Sequence, residues 1–113
     1  MIHELRIYHV APGQMGRLHQ RFQNMTLGHF ARHGIRAAAF WDVTIGDGGN
    51  AKMFYILEWA SLAEREEKWN GFQRDEAWIK DRAETEAAGP IVARVESLIL
   101  TPTAYSPKQG FMG

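Results

Sequence analysis

Alternation with a period of two opens the chain. In residues 2–10, Leu5 and Ile7 share one side while Glu4, Arg6 and Tyr8 share the other. That pattern predicts a strand with one face on a core. The second face is not plainly solvated, because Ile2, Tyr8 and Val10 recur among its charges, so it could line a semi-polar cavity. Ala11-Pro12-Gly13 breaks the strand and the period lengthens. Met15, Leu18, Phe22, Met25 and Phe30 recur near 3.6 residues, predicting a helix of about five turns. Gly34 is placed to cap it in a left-handed conformation, with His33 in the last turn, where a cation suits the helix dipole.

Residues 35–45 alternate again, with Ala37, Ala39, Trp41, Val43 and Ile45 on one side and Arg36, Phe40, Asp42 and Thr44 on the other. Gly46-Asp47-Gly48-Gly49-Asn50 reads as a hairpin connection, because these residues accept positive φ. Residues 51–59 return as a third strand. Ser61 with Glu64 has the spacing of a capping box, opening a second helix with Leu62, Trp69 and Phe72 on its apolar edge. Gly71 is expected to interrupt that helix and residues 75–79 to restart it. Ala87-Ala88-Gly89-Pro90 ends the helical region, and residues 91–100 form a fourth strand closed by Pro102.

The order β-α-β-β-α-β is the split βαβ, ferredoxin-like pattern. It predicts an α+β domain over residues 1–102, a four-stranded antiparallel sheet in the order 4-1-3-2, and helices on one face. Residues 103–113 carry no pattern and read as an arm or tail. The face without helices, expected to bear Tyr8, Val10 and Leu98 or Leu100, would be too apolar for a monomer. Two copies closing face to face would bury on the order of 2,000 Å² or more.

Composition removes several function classes. A chain of 113 residues with 45% apolar and 12% aromatic residues is one globular domain. Thirteen basic and thirteen acidic side chains cancel, leaving no electrostatic footprint for nucleic acid or an anionic membrane. The absence of cysteine excludes disulfides, thiolate nucleophiles and Cys-ligated metal. The early strand leaves no room for a signal peptide, and no apolar run reaches the roughly 18 residues of a membrane span. A cytoplasmic location is expected.

Several segments, taken in order, resemble the NIPSNAP family. They are Glu4-Leu5-Arg6-x-Tyr8 with Pro12-Gly13, Arg32-His33-Gly34, Phe40-Trp41, Ile45-Gly46, Ser61-Leu62-Ala63-Glu64-Arg65, Asp75-x-x-Trp78 and Thr101-Pro102-Thr103-x-Tyr105-Ser106-Pro107. The resemblance implies a dimeric α+β barrel: a homodimer with uncovered sheet faces together and a cavity between sheet and helices in each subunit. It implies no single activity, and no cofactor is expected. The wider superfamily includes cofactor-free monooxygenases, haem-degrading monooxygenases, chlorite dismutases and lactone isomerases. One departure is visible. Where many family members show a His-x-Trp-x-Tyr-like third strand, this chain reads Tyr55-Ile56-Leu57-Glu58-Trp59.

The candidate ligand-binding residues are Arg6, Tyr8, His33, Trp41, Tyr55 and Trp59. Glu4, Arg6 and Tyr8 project from one strand face, where Arg6 could hold an anionic or carbonyl group and Tyr8 could donate a proton. The competing reading is an interface network in which Glu4 or Glu96 pairs with Arg6. Trp41, Tyr55 and Trp59 share parity on the central hairpin and could wall a planar ligand, or be core. His29 and His33 have the four-residue spacing of a helical metal pair, but the intervening Phe-Ala-Arg lacks a glutamate and supplies a repelling cation. Surface histidines at a helix end are the plainer reading, with His33 kept for its place in the Arg-His-Gly element. His3, His9 and His19 read as surface or interface groups. No metal site, phosphate loop or Ser-His-Asp arrangement is indicated.

These readings point to a homodimer binding a small organic molecule. The alternatives are a cofactor-independent monooxygenase or isomerase, and an interaction module with its cavity packed shut. Haem degradation is disfavoured, since it needs an axial histidine inside the pocket.

Overall fold

Antiparallel pairing on both edges of the first strand assembles the sheet. In the computed structural model, which describes residues 1–107, β1 (Ile2–Val10) lies between β3 (Lys52–Trp59) and β4 (Val92–Leu100), and β2 (Arg36–Asp42) pairs with β3. The strand order is β2-β3-β1-β4, the expected 4-1-3-2 arrangement. Register fixes the two faces. Arg6 lies opposite Tyr55 and Ser97, and Tyr8 opposite Met53 and Val95. The even positions of β1 and the odd positions of β3 and β4 therefore share a side. That side packs against Leu18, Phe22, Phe30, Trp69, Phe72 and Trp78 of the helices, forming the core with Val10, Met53, Tyr55, Leu57 and Trp59.

The assignment of faces corrects two expectations. Tyr8 and Val10 face the helices, not the bare side. The bare face instead carries Leu5, Ile7, Phe54 and Ile56, with Leu98 and Leu100 on the neighbouring strand. The reason is that the charged positions of β1 are the buried ones, inverting the usual polar-outward alternation. Trp41 likewise leaves the group it was expected to join. A bulge at Ala37/Ala39 places Ala37 opposite Leu57 but Ala39 opposite Ile56, so every later residue of β2 changes sides. Trp41 consequently pairs with Phe54 on the bare face, and Phe40 stacks on Tyr55 in the covered layer.

The long first helix is not uniform. It comprises α1 (Met15–Arg21), a π-helical segment (Phe22–Thr26) and α2 (Leu27–Arg32). Gly34 at φ 67° closes α2 as expected. Ile35 N–H donates to the Phe30 carbonyl and Gly34 N–H to that of Ala31, a Schellman arrangement. The second helical region begins at α3 (Leu62–Arg74), where the Ser61 hydroxyl accepts from the Glu64 N–H (3.1 Å). Gly71 does not interrupt it. The break comes at Asp75, whose carboxylate accepts from the Ala77 N–H (2.8 Å) and opens α4 (Glu76–Thr85).

Strand β2 stops before the expected limit of residue 45, and Ile45 is 93% exposed in a longer connection. Residues 101–107 form no helix or strand, and residues 108–113 of the expected arm lie outside the described residues. No helix among the described residues is long and apolar enough to cross a membrane.

Candidate functional site

Glu4 has no exposed surface, yet every part of its carboxylate is partnered. Oε1 accepts from Trp59 Nε1 (3.1 Å) and Arg65 Nε (2.7 Å). Oε2 accepts from Arg6 (3.0 Å), the second arm of Arg65 (3.2 Å) and Ser97 Oγ (2.6 Å). Burial works to raise the carboxyl's pKa, but the bonds from Arg65, Ser97 and Arg6 prevail and hold it at about 2. The expected Arg6–glutamate contact is thus made with Glu4. Glu96 lies on the other face, opposite Ile7, and bonds to His9 (2.9 Å).

Arg6 continues the network towards the helices. Its Nε donates to Tyr55 Oη (2.7 Å), and Tyr55 Oη lies 2.8 Å from Tyr8 Oη. The guanidinium rests 4.4 Å from the centre of the Trp69 ring, a cation–π contact. Burial works against the Arg6 charge, but the tyrosine oxygens and Glu4 outweigh it and raise its pKa further. The fully buried Tyr55 hydroxyl is pushed well above its ordinary value by desolvation.

Arg6 and Tyr8 open onto a cavity of about 300 Å³ between the sheet and the helices. Phe22, Phe30, Trp69, Phe72 and Trp78 form its aromatic wall. Among the described residues four arginines line it (Arg6, Arg21, Arg82 and Arg94) with one carboxylate, Glu86, and Arg94 is paired with Glu96 at 3.4 Å. Arg21 is itself buried, reaches Thr85 Oγ1 (3.3 Å) and Glu86 (3.7 Å), and has its pKa lowered by burial against the pull of Glu86. Thr26, at the end of the π-helical segment, also lines the cavity. Its hydroxyl is buried and has no hydrogen-bond partner among the described residues.

Of the six candidate residues, Arg6 and Tyr8 border this cavity. Tyr55 and Trp59 lie behind them, fully buried. Trp41 sits on the far face of the sheet and borders a shallower recess of about 200 Å³ with Phe22, Leu27, Phe40 and Met53. His33 lies outside both, bonded through Nε2 to Asp75 (2.6 Å), which also receives Arg32 (2.5 Å). His29 is not the surface group expected. It is buried against Trp78 and bonds to Asp81 (2.7 Å), so both histidines tie α2 to α4. Arg21, Thr26, Arg82 and Glu86 were not singled out. For the last two a signal existed, since Trp78, Arg82 and Glu86 fall at four-residue steps and so on one helix side.

The NIPSNAP family model matches residues 3–107. No curated protein sequence matches the chain. Among solved structures, an uncharacterized NIPSNAP-like domain protein from Burkholderia xenovorans is 20% identical, with a TM-score of 0.81 over 94% of this chain and 88% of that one. A NIPSNAP family protein from Agrobacterium tumefaciens is 22% identical, with a TM-score of 0.81 over 95% and 97%. A structure of a MhuD mutant with two manganese protoporphyrin IX bound per active site is 16% identical, with a TM-score of 0.64 over 95% and 99%. At these identities the likeness concerns the fold.

Proposed function

The chain belongs to the NIPSNAP family, and from that premise we propose that it is a homodimer binding a small anionic molecule with a planar, aromatic body. The observation that carries the reading is the cavity under the helices: about 300 Å³, walled by five aromatic rings, with Arg6, Arg21 and Arg82 against one carboxylate, Glu86, and a fourth arginine, Arg94, paired with Glu96 (3.4 Å). That volume is at the lower end of small-molecule sites, which are typically apolar clefts with a few placed polar groups. Arg6 reaches this cavity already neutralised by Glu4, but Glu4 is shared with Arg65, so the cluster keeps a net positive charge. An anion entering the cavity would meet uncompensated charge in a partly dry setting, where it counts most.

The uncovered sheet face supports the homodimer. Leu98 and Leu100 are 47% and 40% exposed there, beside Leu5, Ile7, Phe54 and Ile56, and an apolar surface of this kind favours association with a like surface. A second reading, turnover by a cofactor-independent monooxygenase or isomerase, is favoured by the Arg6–Tyr55–Tyr8 chain, which could steady an enolate. The size of the cavity, and the absence of histidine from its described lining, support a ligand smaller than a porphyrin.

Thermal melting with small aromatic anions tests the ligand class. At least one of benzoate, salicylate and 4-nitrophenolate should raise the melting temperature in a concentration-dependent way, benzyl alcohol should not, and Arg21→Gln should weaken the effect. Equal stabilisation by the anions and the alcohol, or by none of them, would overturn the reading.

A further inference from the structure

We propose that Tyr8 is a directed hydrogen-bond donor in this cavity and that the bound ligand is an aromatic oxyanion of the phenolate or enolate class. The proposal rests on the small-molecule reading above and deepens it. Its basis is the direction of the protons in the Arg6–Tyr55–Tyr8 chain.

Arginine nitrogen can only donate, so Tyr55 Oη accepts from Arg6 Nε at 2.7 Å. Tyr55 is fully buried, and its hydroxyl has one other polar neighbour among the described residues, Tyr8 Oη at 2.8 Å. The Tyr55 proton is therefore donated to Tyr8. The reverse assignment would strand that proton in the core without an acceptor, at a cost that buried polar groups seldom carry. Tyr8, only half-buried, is left with its own proton free, and it lines the cavity. A charged donor at the head of the chain polarises each bond in the same sense, strengthening the last one.

The Thr26 hydroxyl is buried beside the same lining, without a hydrogen-bond partner among the described residues. The one proton that Tyr8 offers suits a single oxygen atom. A carboxylate is matched better by the two-pronged edge of an arginine. The Arg6 fork is already engaged with Tyr55 and Glu4, and Arg21 is turned to Thr85 and Glu86. The aromatic wall then takes the ring that carries the oxygen.

The probe is 4-nitrophenol, whose phenolate form absorbs visible light, with 4-nitroanisole as its neutral O-methyl analogue. The wild-type protein should bind the phenolate in preference to the anisole and move the colour transition of the bound probe about one pH unit or more below that of the free probe. Tyr8→Phe should remove the displacement and weaken phenolate binding roughly 10- to 100-fold, leaving anisole binding unchanged. Tyr55→Phe keeps the Tyr8 hydroxyl but cuts the chain, so it should lower the phenolate-to-anisole preference several-fold. A merely structural role would weaken both probes alike. If that core variant does not fold, Tyr8→Phe decides alone. Equal binding of the two probes by the wild type, or a Tyr8→Phe protein that keeps the phenolate preference, overturns the inference. If aromatic carboxylates still bind in that case, only this inference falls. If nothing binds, the small-molecule reading falls with it.

Discussion

Glu4 shows how a residue that reads as surface becomes the best-connected group in the core. Its carboxyl is held at about 2 against an ordinary value of 4.5. A depressed carboxyl stabilises the fold above its unfolded pKa, and that contribution is lost as pH falls through the folded one. The window here is roughly pH 4.5 down to 2. The two values correspond to about 3 kcal/mol of stability at neutral pH. Glu4→Gln should lose at least that much at pH 7, because Arg6 remains buried beside a neutral partner. Urea denaturation of the two proteins between pH 7 and pH 3 should show the gap narrowing with acid, and parallel curves would contradict the assignment. The sequence made the Glu4–Arg6 pairing legible, since both side chains leave one strand on the same side. Arg65 and Ser97 were not legible as partners. They lie 61 and 93 residues away, and only the closed sheet brings them to the carboxylate.

At the scale of elements, strand and helix order could be read from periodicity, but two local defects could not. The bulge in β2 shifts parity by one, which moves Trp41 to the bare face and Phe40 onto Tyr55. An Ala-Ala-Ala run gives no hydrophobic signal of where such a shift occurs. The π-helical segment does the same to the first helix. Met25 was expected on the apolar stripe, but it is half-buried, while Thr26 is turned inward. A π turn adds a residue to the helical repeat and is often found where a helix presents a group to a ligand. Thr26→Val tests whether this is so. In the ligand-free protein the change removes a buried, unpartnered hydroxyl and should stabilise the fold by about 1 kcal/mol. The same variant should bind 4-nitrophenolate several-fold more weakly. Calorimetric melting with and without probe separates the effects, and a variant that is less stable without ligand would show that the hydroxyl is partnered after all.

At the scale of the whole molecule, one sheet serves two kinds of surface. The helix-covered face combines aromatic packing with buried charge, and the opposite face, without helices, has an apolar centre flanked by the His3–Glu58 and His9–Glu96 pairs. The sequence revealed that such a face must exist, because two helices can cover only one side. It misassigned the residues because β1 carries apolar groups at both parities. Edge strand β4 allows the proposed dimer to be tested without disturbing the core. Leu98 and Ile99 are adjacent and almost equally exposed, at 47% and 41%, but they point to opposite faces: Leu98 lies opposite Leu5, and Ile99 opposite Glu4. A glutamate at either position adds one charge to one half-exposed site, and at 99 it lies opposite Glu4 and costs the isolated protomer more, so retained association by that variant is a strict control. Association through the bare face distinguishes them. Leu98→Glu would bring a like charge against its symmetry mate in a desolvated contact and should give monomers in sedimentation at micromolar concentration. Ile99→Glu should sediment as the wild type does. If both variants dissociate, or neither does, the subunits do not meet through this face. If the wild type is itself monomeric at that concentration, the apolar face requires another cover.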